Sequence, residues 1–454
     1  MKFRFLFVST LAVLCLVLSA CSLPGMQATI PATDTPTVAP PPTGTPTLAP
    51  NPTGTLPVPP SGTPAPTDTE PPSLPLGPIS LTPTLGGPAI AHLVPGKKID
   101  IMYIHMVDAN RGWGIGGLNK ASDHVFRTQD GGQTWRDVTP PQPAPQAGDT
   151  IAALGYFLDA SAACVAYGFP MELGGVPPYI QAWKTNDGGE TWLYSSIDTS
   201  VVSAVAFSPY FMNFADDQHG WLMVYLGSGM MNAYVAIFMT NDGGATWTDI
   251  LDPYTGGDIQ SFPKTGMVFV DPQTGWLTRD GQGVDPAPHV FRTTDGGVTW
   301  TRLDLPAPAE TPNLYDSYAC GSYSPNAFSA QSVTVAMKCL DNATYKIEKD
   351  YAYFTGDGGT TWKTYPLPAG YSLGEGLKFF SAQSGLALSR KIYKTGDGGQ
   401  TWKLIQQVNW DGQFSFVSID LGWAYVINDQ GEIALVKTVN GGATWTMLHP
   451  VVGP

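Results

Sequence analysis

Residues 293–300 read Thr-Thr-Asp-Gly-Gly-Val-Thr-Trp, and this octapeptide decides the fold because the chain carries seven versions of it. The other versions occupy residues 128–135, 185–192, 240–247, 355–362, 395–402 and 438–445. The last has Asn440 where the others have aspartate. Successive copies begin 40 to 62 residues apart, which is the period of the blades of a β-propeller.

A second motif, a turn followed by Gly-Trp, precedes most copies, with tryptophans at 113, 221, 276 and 423. Short apolar runs alternate with Gly and Asp turns, and no long segment has helical periodicity, which indicates an all-β fold. Each repeat is predicted to hold four strands, A to D. Gly-Trp opens strand B, and the octapeptide joins strands C and D. We therefore predict one seven-bladed β-propeller of four-stranded antiparallel blades over residues 89–454.

The octapeptide has the chemistry of a turn. Its carboxylate can accept hydrogen bonds from backbone N–H groups, its paired glycines permit positive φ, and its tryptophan offers a large apolar face for packing. One such group per blade cannot converge on a single substrate, so a structural role is expected for the whole set. Its members are Asp130, Asp187, Asp242, Asp295, Asp357, Asp397, Asn440, Trp135, Trp192, Trp247, Trp300, Trp362, Trp402 and Trp445.

The N-terminus predicts export. Lys2 and Arg4 precede an apolar run over residues 5–17, and Leu-Ser-Ala-Cys at 18–21 matches a bacterial lipobox. Residues 1–20 are thus expected to be a lipoprotein signal peptide, with Cys21 lipidated and the protein anchored to a membrane at the cell surface or in the periplasm. Residues 21–88 are expected to form a disordered linker, since residues 31–86 hold 18 Pro and 13 Thr without Lys or Arg.

Charge and residue types exclude several functions. The net charge is −14, and it becomes −16 without Lys2 and Arg4, so nucleic acid is not an expected partner. The six His show no metal-ligand spacing, and no phosphate-binding loop precedes a helix, so neither metal nor cofactor is expected. The arginines are not placed to converge as in a sialidase. A pair of carboxylates for glycoside hydrolysis on the long loops stays open.

Three cysteines remain beyond Cys15 and Cys21. Cys320 is expected on strand A of blade five and Cys339 on strand B, where antiparallel neighbours come within bridging distance. We therefore expect a disulfide between them, with Cys164 free and buried.

Alternation of strand direction places the D–A and B–C connections on one face of the ring, here named the loop face. The A–B turns and the octapeptides share the other, here named the Asp-box face. The loop face carries the longest connections, and loops on a rigid scaffold are where binding residues concentrate. The expected partner is a protein or a neutral glycan, and the protein is expected to be monomeric. The candidate contacts are Tyr254, Phe262, Tyr371, Asp258, Asp280 and Asp285.

These motifs resemble the Asp-box (BNR) propellers, which include sialidases, xyloglucan-cleaving hydrolases and sortilin-type receptors. The resemblance is closest to the photosystem II stability/assembly factor family, whose repeats join a Gly-Trp turn to the octapeptide as Gly275-Trp276 joins residues 293–300 here. It implies a membrane-tethered binding or assembly module without enzymatic activity. The alternative is a glycan-active or glycan-binding propeller.

Overall fold

The computed structural model describes residues 88–143, 151–168, 179–198, 207–281, 285–344, 346–368, 376–381 and 383–454. All of them belong to one of the two units into which the chain divides, Pro75–Pro454. The predictions for the signal peptide, for Cys21 and for the linker up to residue 87 lie outside the described residues, as does Tyr371. Among the described residues, no helix has the length and apolar character needed to cross a membrane.

The described residues form seven antiparallel sheets, each with strands A to D in chain order. Blade one holds Asp100–Met106, Gly112–Gly117, His124–Thr128 and Thr134–Asp137. Blade two holds Ala152–Phe157, Ala163–Gly168, Tyr179–Thr185 and Leu193–Asp198. Blade three holds Ser208–Phe214, Gly220–Gly229, Asn232–Thr240 and Thr248–Leu251. Blade four holds Lys264–Phe269, Gly275–Arg279, His289–Thr293 and Thr301–Asp304.

The remaining three blades follow the same order, and the predicted seven-bladed propeller is confirmed. Blade five holds Tyr318–Ser322 with the short Asn326–Ala327, then Val333–Asp341, Ile347–Thr355 and Lys363–Pro366. Blade six holds Gly376–Phe379, Gly385–Leu388, Lys391–Thr395 and Lys403–Gln407. Blade seven holds Trp410–Phe416, Gly422–Asn428, Ile433–Thr438 and Thr446–Leu448. A 3₁₀ turn, Gly257–Gln260, and an α-turn, Leu314–Ser317, lie in D–A connections.

The chain ends close the ring on blade one. Val451–Val452 pairs in parallel with Thr134–Trp135 and adds a fifth strand to that blade. In the same region, the Ile90 N–H donates to the Gln142 carbonyl at 2.8 Å. The sequence did not predict the added C-terminal strand, because two residues are too few to show a strand pattern.

The core lies between neighbouring blades, and the Gly-Trp tryptophans join them. Trp221 of blade three is fully buried, stacks on Phe269 of blade four at 3.6 Å and donates from Nε1 to the Gly296 carbonyl at 2.7 Å. Trp423 of blade seven donates in the same way to Gly131 of blade one at 2.8 Å. Each of these indoles therefore fastens its own blade to the octapeptide of the next.

The inner edges of the blades are also linked by side chains. Asn213 accepts from the Phe269 N–H at 2.8 Å, and Gln413 accepts from the Ile104 N–H at 2.9 Å. Strand A has no sheet partner on its inner side, so these amide side chains satisfy backbone groups that would otherwise lack one.

Candidate functional site

The Asp-box face is built from closed hydrogen-bond networks. In the fourth copy, the Thr293 hydroxyl donates to Asp295 at 2.8 Å and accepts from the Gly297 N–H at 2.9 Å. Asp295 then accepts from the Thr299 N–H at 2.9 Å and from its hydroxyl at 2.5 Å. Gly296 and Gly297 have φ of 76° and 94°, which a side chain would strain. The other five aspartate copies repeat this network.

The seventh copy shows why asparagine serves in place of aspartate. Asn440 Oδ1 accepts from the Thr444 N–H at 2.9 Å, while Nδ2 donates to the Thr444 hydroxyl at 2.8 Å. In the aspartate copies the threonine hydroxyl donates to the carboxylate instead of accepting, and the hydrogen bonds from the Thr361 hydroxyl and N–H lower the pKa of Asp357 to about 2. These carboxylates are thus committed to the turns and are not free for a ligand.

Replacing Asp295 by alanine should lower the free energy of unfolding by about 1–3 kcal/mol, because the Thr299 N–H loses its acceptor. Asp295→Asn should cost less, since Asn440 already fills the equivalent position. Urea unfolding of both variants measures the difference. Equal losses for the two would contradict the proposed role of Oδ1 as the essential acceptor.

On the loop face, the hairpin of blade three extends beyond its own sheet. Its strands B and C remain paired up to Gly229 and Asn232, whereas strand A pairs only as far as Tyr225 and strand D only from Ile237. Met230 and Met231 form the tip, and both side chains are exposed. Two methionines therefore stand at the end of a paired but projecting ribbon.

The connection from blade three to blade four is bound along this hairpin. The Phe262 N–H donates to the Met231 carbonyl at 2.8 Å. Gln260 accepts from the Val235 N–H at 2.8 Å and donates to its carbonyl at 2.9 Å. Earlier in the connection, Asp252 accepts from the Tyr254 N–H at 2.7 Å, and the Tyr254 side chain is 83% exposed. Tyr254 is thus presented on a connection that hydrogen bonds hold to the hairpin.

Lys264 fastens the end of this connection. Its buried ammonium group donates to the carbonyls of Ala233 and Phe262, the latter at 3.0 Å. Burial, together with repulsion from Arg279, lowers its pKa to about 7. The carbonyl oxygens supply the hydrogen bonds that a buried cation requires.

Beside Lys264, Arg279 organises a network of charged groups. Its side chain is fully buried, its Nη2 donates to Asp285 at 2.8 Å, and its Nη1 lies 3.5 Å from Asp258. The guanidinium group lies 5.0 Å from the centre of the Phe262 ring. Arg302 continues the network outward and donates to Asp258 at 3.0 Å and to Asp304 at 2.8 Å.

His289 completes this network, with Nε2 2.9 Å from Asp285 and Nδ1 2.9 Å from Asp304. Burial would raise the pKa of Asp285, but the hydrogen bonds and charges of His289 and Arg279 hold it below its usual value. Asp285 is therefore an ionised member of the network.

The structure separates the predicted contact residues into distinct environments. Tyr254 is exposed as expected. Phe262 is only 5% exposed and its ring packs against the buried guanidinium group of Arg279, so the surface contact predicted for it is absent. Asp258 and Asp285 are partly exposed but already paired with arginines.

Asp280 is only partly exposed and is bound to the next blade, whereas a polar contact on the loop face was expected. It accepts from the Ser322 N–H of blade five at 2.9 Å, and burial raises its pKa to about 6. The charge of Lys338 lowers the pKa of Asp280 and of Asp350, but burial has the larger effect and raises the pKa of Asp350 to about 7. Two carboxyl groups with raised pKa, Asp280 of blade four and Asp350 of blade five, thus lie near the same lysine.

Sequence reasoning missed Met230 and Met231, and it assigned no joint role to Arg279, His289 and Arg302. The methionines carried a readable signal, because Gly-Ser-Gly before them and Asn232 after them mark a turn between two apolar runs. The charged network left no such signal in the sequence, because its members come from three strands and two connections.

The cysteines and possible metal ligands complete the description. Cys320 and Cys339 form the expected disulfide, and Cys164 is free and buried, which raises its thiol pKa to about 12. Across the described part of the chain, no three His, Cys, Asp or Glu side chains are grouped to hold a metal ion.

The fold defines the class of this chain as a seven-bladed β-propeller. No protein-family model matches it. A xyloglucanase of Paenibacillus sp is 24% identical over 159 residues, a stretch covering 28% of this chain and 14% of that protein. The chain therefore spans only a small part of the length of this relative.

Two solved structures share the fold at low identity. YCF48, a photosystem II assembly factor solved with a D1 peptide, is 17% identical with a TM-score of 0.45, covering 78% of this chain and 99% of its own. A PL25 ulvan lyase is 9% identical with a TM-score of 0.42, covering 80% and 97% respectively. The predicted resemblance to the assembly-factor propellers is confirmed, and at these identities the likeness concerns the fold alone.

The prediction that the protein is not an enzyme is contradicted by these comparisons. The curated relative is a xyloglucanase, and the ulvan lyase is a polysaccharide lyase with this fold. The sequence argument failed because the Asp-box is structural in enzymes and in binding proteins alike, so its presence does not separate the two.

Proposed function

We propose that the protein is an exported binding propeller, tethered to a membrane through Cys21, that holds a protein partner on the loop face of blades three and four. The observation that carries this proposal is the exposure of Met230, Met231 and Tyr254 on two segments bonded to each other. Export and tethering rest on the signal sequence and on Cys21 at the end of its apolar run.

The chemistry of this surface favours a protein as the partner. Contiguous exposed apolar side chains mark interaction sites, and Met and Tyr are enriched in protein interfaces. Methionine adapts its shape to the opposing surface, while tyrosine adds area with few rotatable bonds. The hydrogen bonds of Gln260 and Lys264 keep the two segments in place before binding, which reduces the entropy lost on association.

The neighbouring charges favour a neutral or basic partner surface. Asp258, Asp304 and Arg302 are all partly exposed beside the connection that carries Tyr254. Carboxylates outnumber arginines there, and the chain as a whole carries a net charge of −14. An acidic partner would therefore be repelled.

A photo-crosslinking amino acid placed at position 254 of the full chain, in intact producing cells, tests this proposal. We expect a discrete cross-linked protein from position 254 and none from the matched position Val439, which is 70% exposed on the Asp-box face. Met230→Ser together with Met231→Ser should abolish that product. The same product from position 439, or one unaffected by the methionine substitutions, would contradict the proposal.

A glycan-active propeller is the second candidate, and one observation favours it. Asp280 has a raised pKa of about 6, whereas Asp285, five residues away, has a lowered one. Carboxyl groups whose pKa values are driven apart are typical of acid and base pairs in glycoside hydrolysis. Release of reducing sugar from neutral polysaccharides that is lost in Asp280→Asn would favour this candidate over protein binding.

A further inference from the structure

Trp410 stands apart from the other tryptophans of the chain. Of the 13 tryptophans, seven end the octapeptides and four belong to Gly-Trp motifs, which leaves Trp183 and Trp410. Trp183 is buried in blade two, where its Nε1 donates to Gln142 at 2.7 Å. Trp410 begins strand A of blade seven and is only partly buried. The repeat does not require an indole at this position.

Trp410 lines an open cleft between the end of strand D in blade six and blade seven, with a volume of about 550 Å³. Ligand clefts commonly measure about 300–1,000 Å³. The Trp410 and Trp445 rings meet edge to face, with centroids 5.6 Å apart and planes at 87°. The residues that line the cleft are Gln406, Gln407, Val408, Asn409, Trp410 and Trp445.

Apart from the indole N–H groups of the two tryptophans, the polar side chains that line the cleft are all amides. Gln406, Gln407 and Asn409 are exposed, and each offers two N–H donors and a carbonyl acceptor. No lining residue is charged. The nearby Arg390 is bound to Asp411 by two hydrogen bonds, at 2.9 and 2.7 Å, so it is already neutralised. A ligand with a net charge would find no counter-charge among these lining residues.

Backbone contacts hold the wall of the cleft in position. The Val408 N–H donates to the Arg390 carbonyl at 2.8 Å, and Gln406 Oε1 accepts from the Gln407 N–H at 3.2 Å. Trp410 also contacts the Phe414 ring, with centroids 5.9 Å apart. The indole of Trp410 and the amides of Gln406 and Gln407 thus lie on paired strands, and Asn409 lies in the two-residue connection between those strands.

We infer that this cleft binds a neutral saccharide, with the C–H face of a pyranose ring against Trp410 and its hydroxyl groups bonded to the amides of Gln406, Gln407 and Asn409. Hydroxyl groups both donate and accept, which matches amide side chains. The cleft lies on different blades from the surface proposed for the protein partner.

Titration of the full-length protein with cellohexaose, xylohexaose and mannohexaose tests the inference, with tryptophan fluorescence and calorimetry as readouts. We expect at least one of these neutral oligosaccharides to bind and oligogalacturonate of similar length not to bind. Trp410→Ala should weaken binding by about tenfold or more, Gln407→Ala by less, and Trp410→Phe should retain part of it. The matched control is Gln400→Ala, an exposed amide in the sixth octapeptide, which should leave affinity unchanged.

Three results would overturn the inference. They are failure of all three neutral oligosaccharides to bind, equal binding of oligogalacturonate, and unchanged affinity in Trp410→Ala. Because Trp410 also packs on Phe414 and Trp445, thermal unfolding of each variant is recorded alongside. If Trp410→Ala does not fold, the result rests on Gln407→Ala against Gln400→Ala, and equal affinities for these two would overturn the inference.

Discussion

Arg279→Met is expected to lower the free energy of unfolding by roughly 3 kcal/mol, because it removes the cation from a buried ion pair. Arg279 is fully buried and is the group that both Asp258 and Asp285 face. Methionine fills much of the same volume but leaves these carboxylates with fewer compensating charges. The change should also weaken the attachment of the connection that carries Tyr254, since Asp258 belongs to it. Urea unfolding of the variant beside the wild type measures the loss.

Arg302→Met is the matched control for this prediction. Arg302 binds the same Asp258 at 3.0 Å, but its side chain is 39% exposed. Solvent weakens such pairs, so the loss should not exceed about 1 kcal/mol. If the two arginine variants lose equal stability, burial does not determine the strength of this network, and Arg279 is not its organising residue.

The fold could be predicted from the sequence because every blade carries one copy of the octapeptide. The octapeptide fixes the C–D turn, and Gly-Trp fixes the start of strand B, which begins at Gly112 in blade one and at Gly275 in blade four. The side-chain hydrogen bonds that shape the octapeptide turn are local and join residues no more than four apart, as in Thr293 to Gly297. Closure by Val451–Val452 was missed because it joins residues more than 300 apart and leaves no repeating signal.

The candidate site was predicted less well, for a physical reason. Loop residues were chosen by type and position, and Tyr254 is exposed as such reasoning expects. Exposure of Phe262 and Asp280 depends instead on groups distant in sequence. The guanidinium group of Arg279 packs against the Phe262 ring, and the Ser322 N–H of the next blade donates to the Asp280 carboxylate. No pattern within a single loop reports a contact of that kind.

Asp350→Asn is expected to make the protein more stable than the wild type at pH 8. At pH 4 the difference in stability between the variant and the wild type should be much smaller. Asp350 is buried, its Oδ1 has no hydrogen-bond partner among the described residues, and burial raises its pKa from 3.8 to about 7 despite Lys338. The folded state therefore favours the protonated carboxyl. The protonated Asp350 carboxyl makes its full contribution to stability below pH 4, and this contribution is lost as the pH rises to about 7. At about 1.4 kcal/mol per pKa unit, the loss is on the order of 4 kcal/mol.

Asparagine does not titrate, so the variant should lack this fall in stability between pH 4 and pH 8. Any loss of stability caused by burying the amide is the same at every pH and does not change the slope. Asp304→Asn is the control of opposite sign. Asp304 is exposed, and its hydrogen bond from Arg302 lowers its pKa, so its contribution is present at neutral pH and lost on acidification. Thermal unfolding of the three proteins at half-unit pH steps measures these slopes. Parallel curves for the wild type and Asp350→Asn would show that Asp350 ionises at its usual pH, with Lys338 stabilising the carboxylate fully in the folded protein.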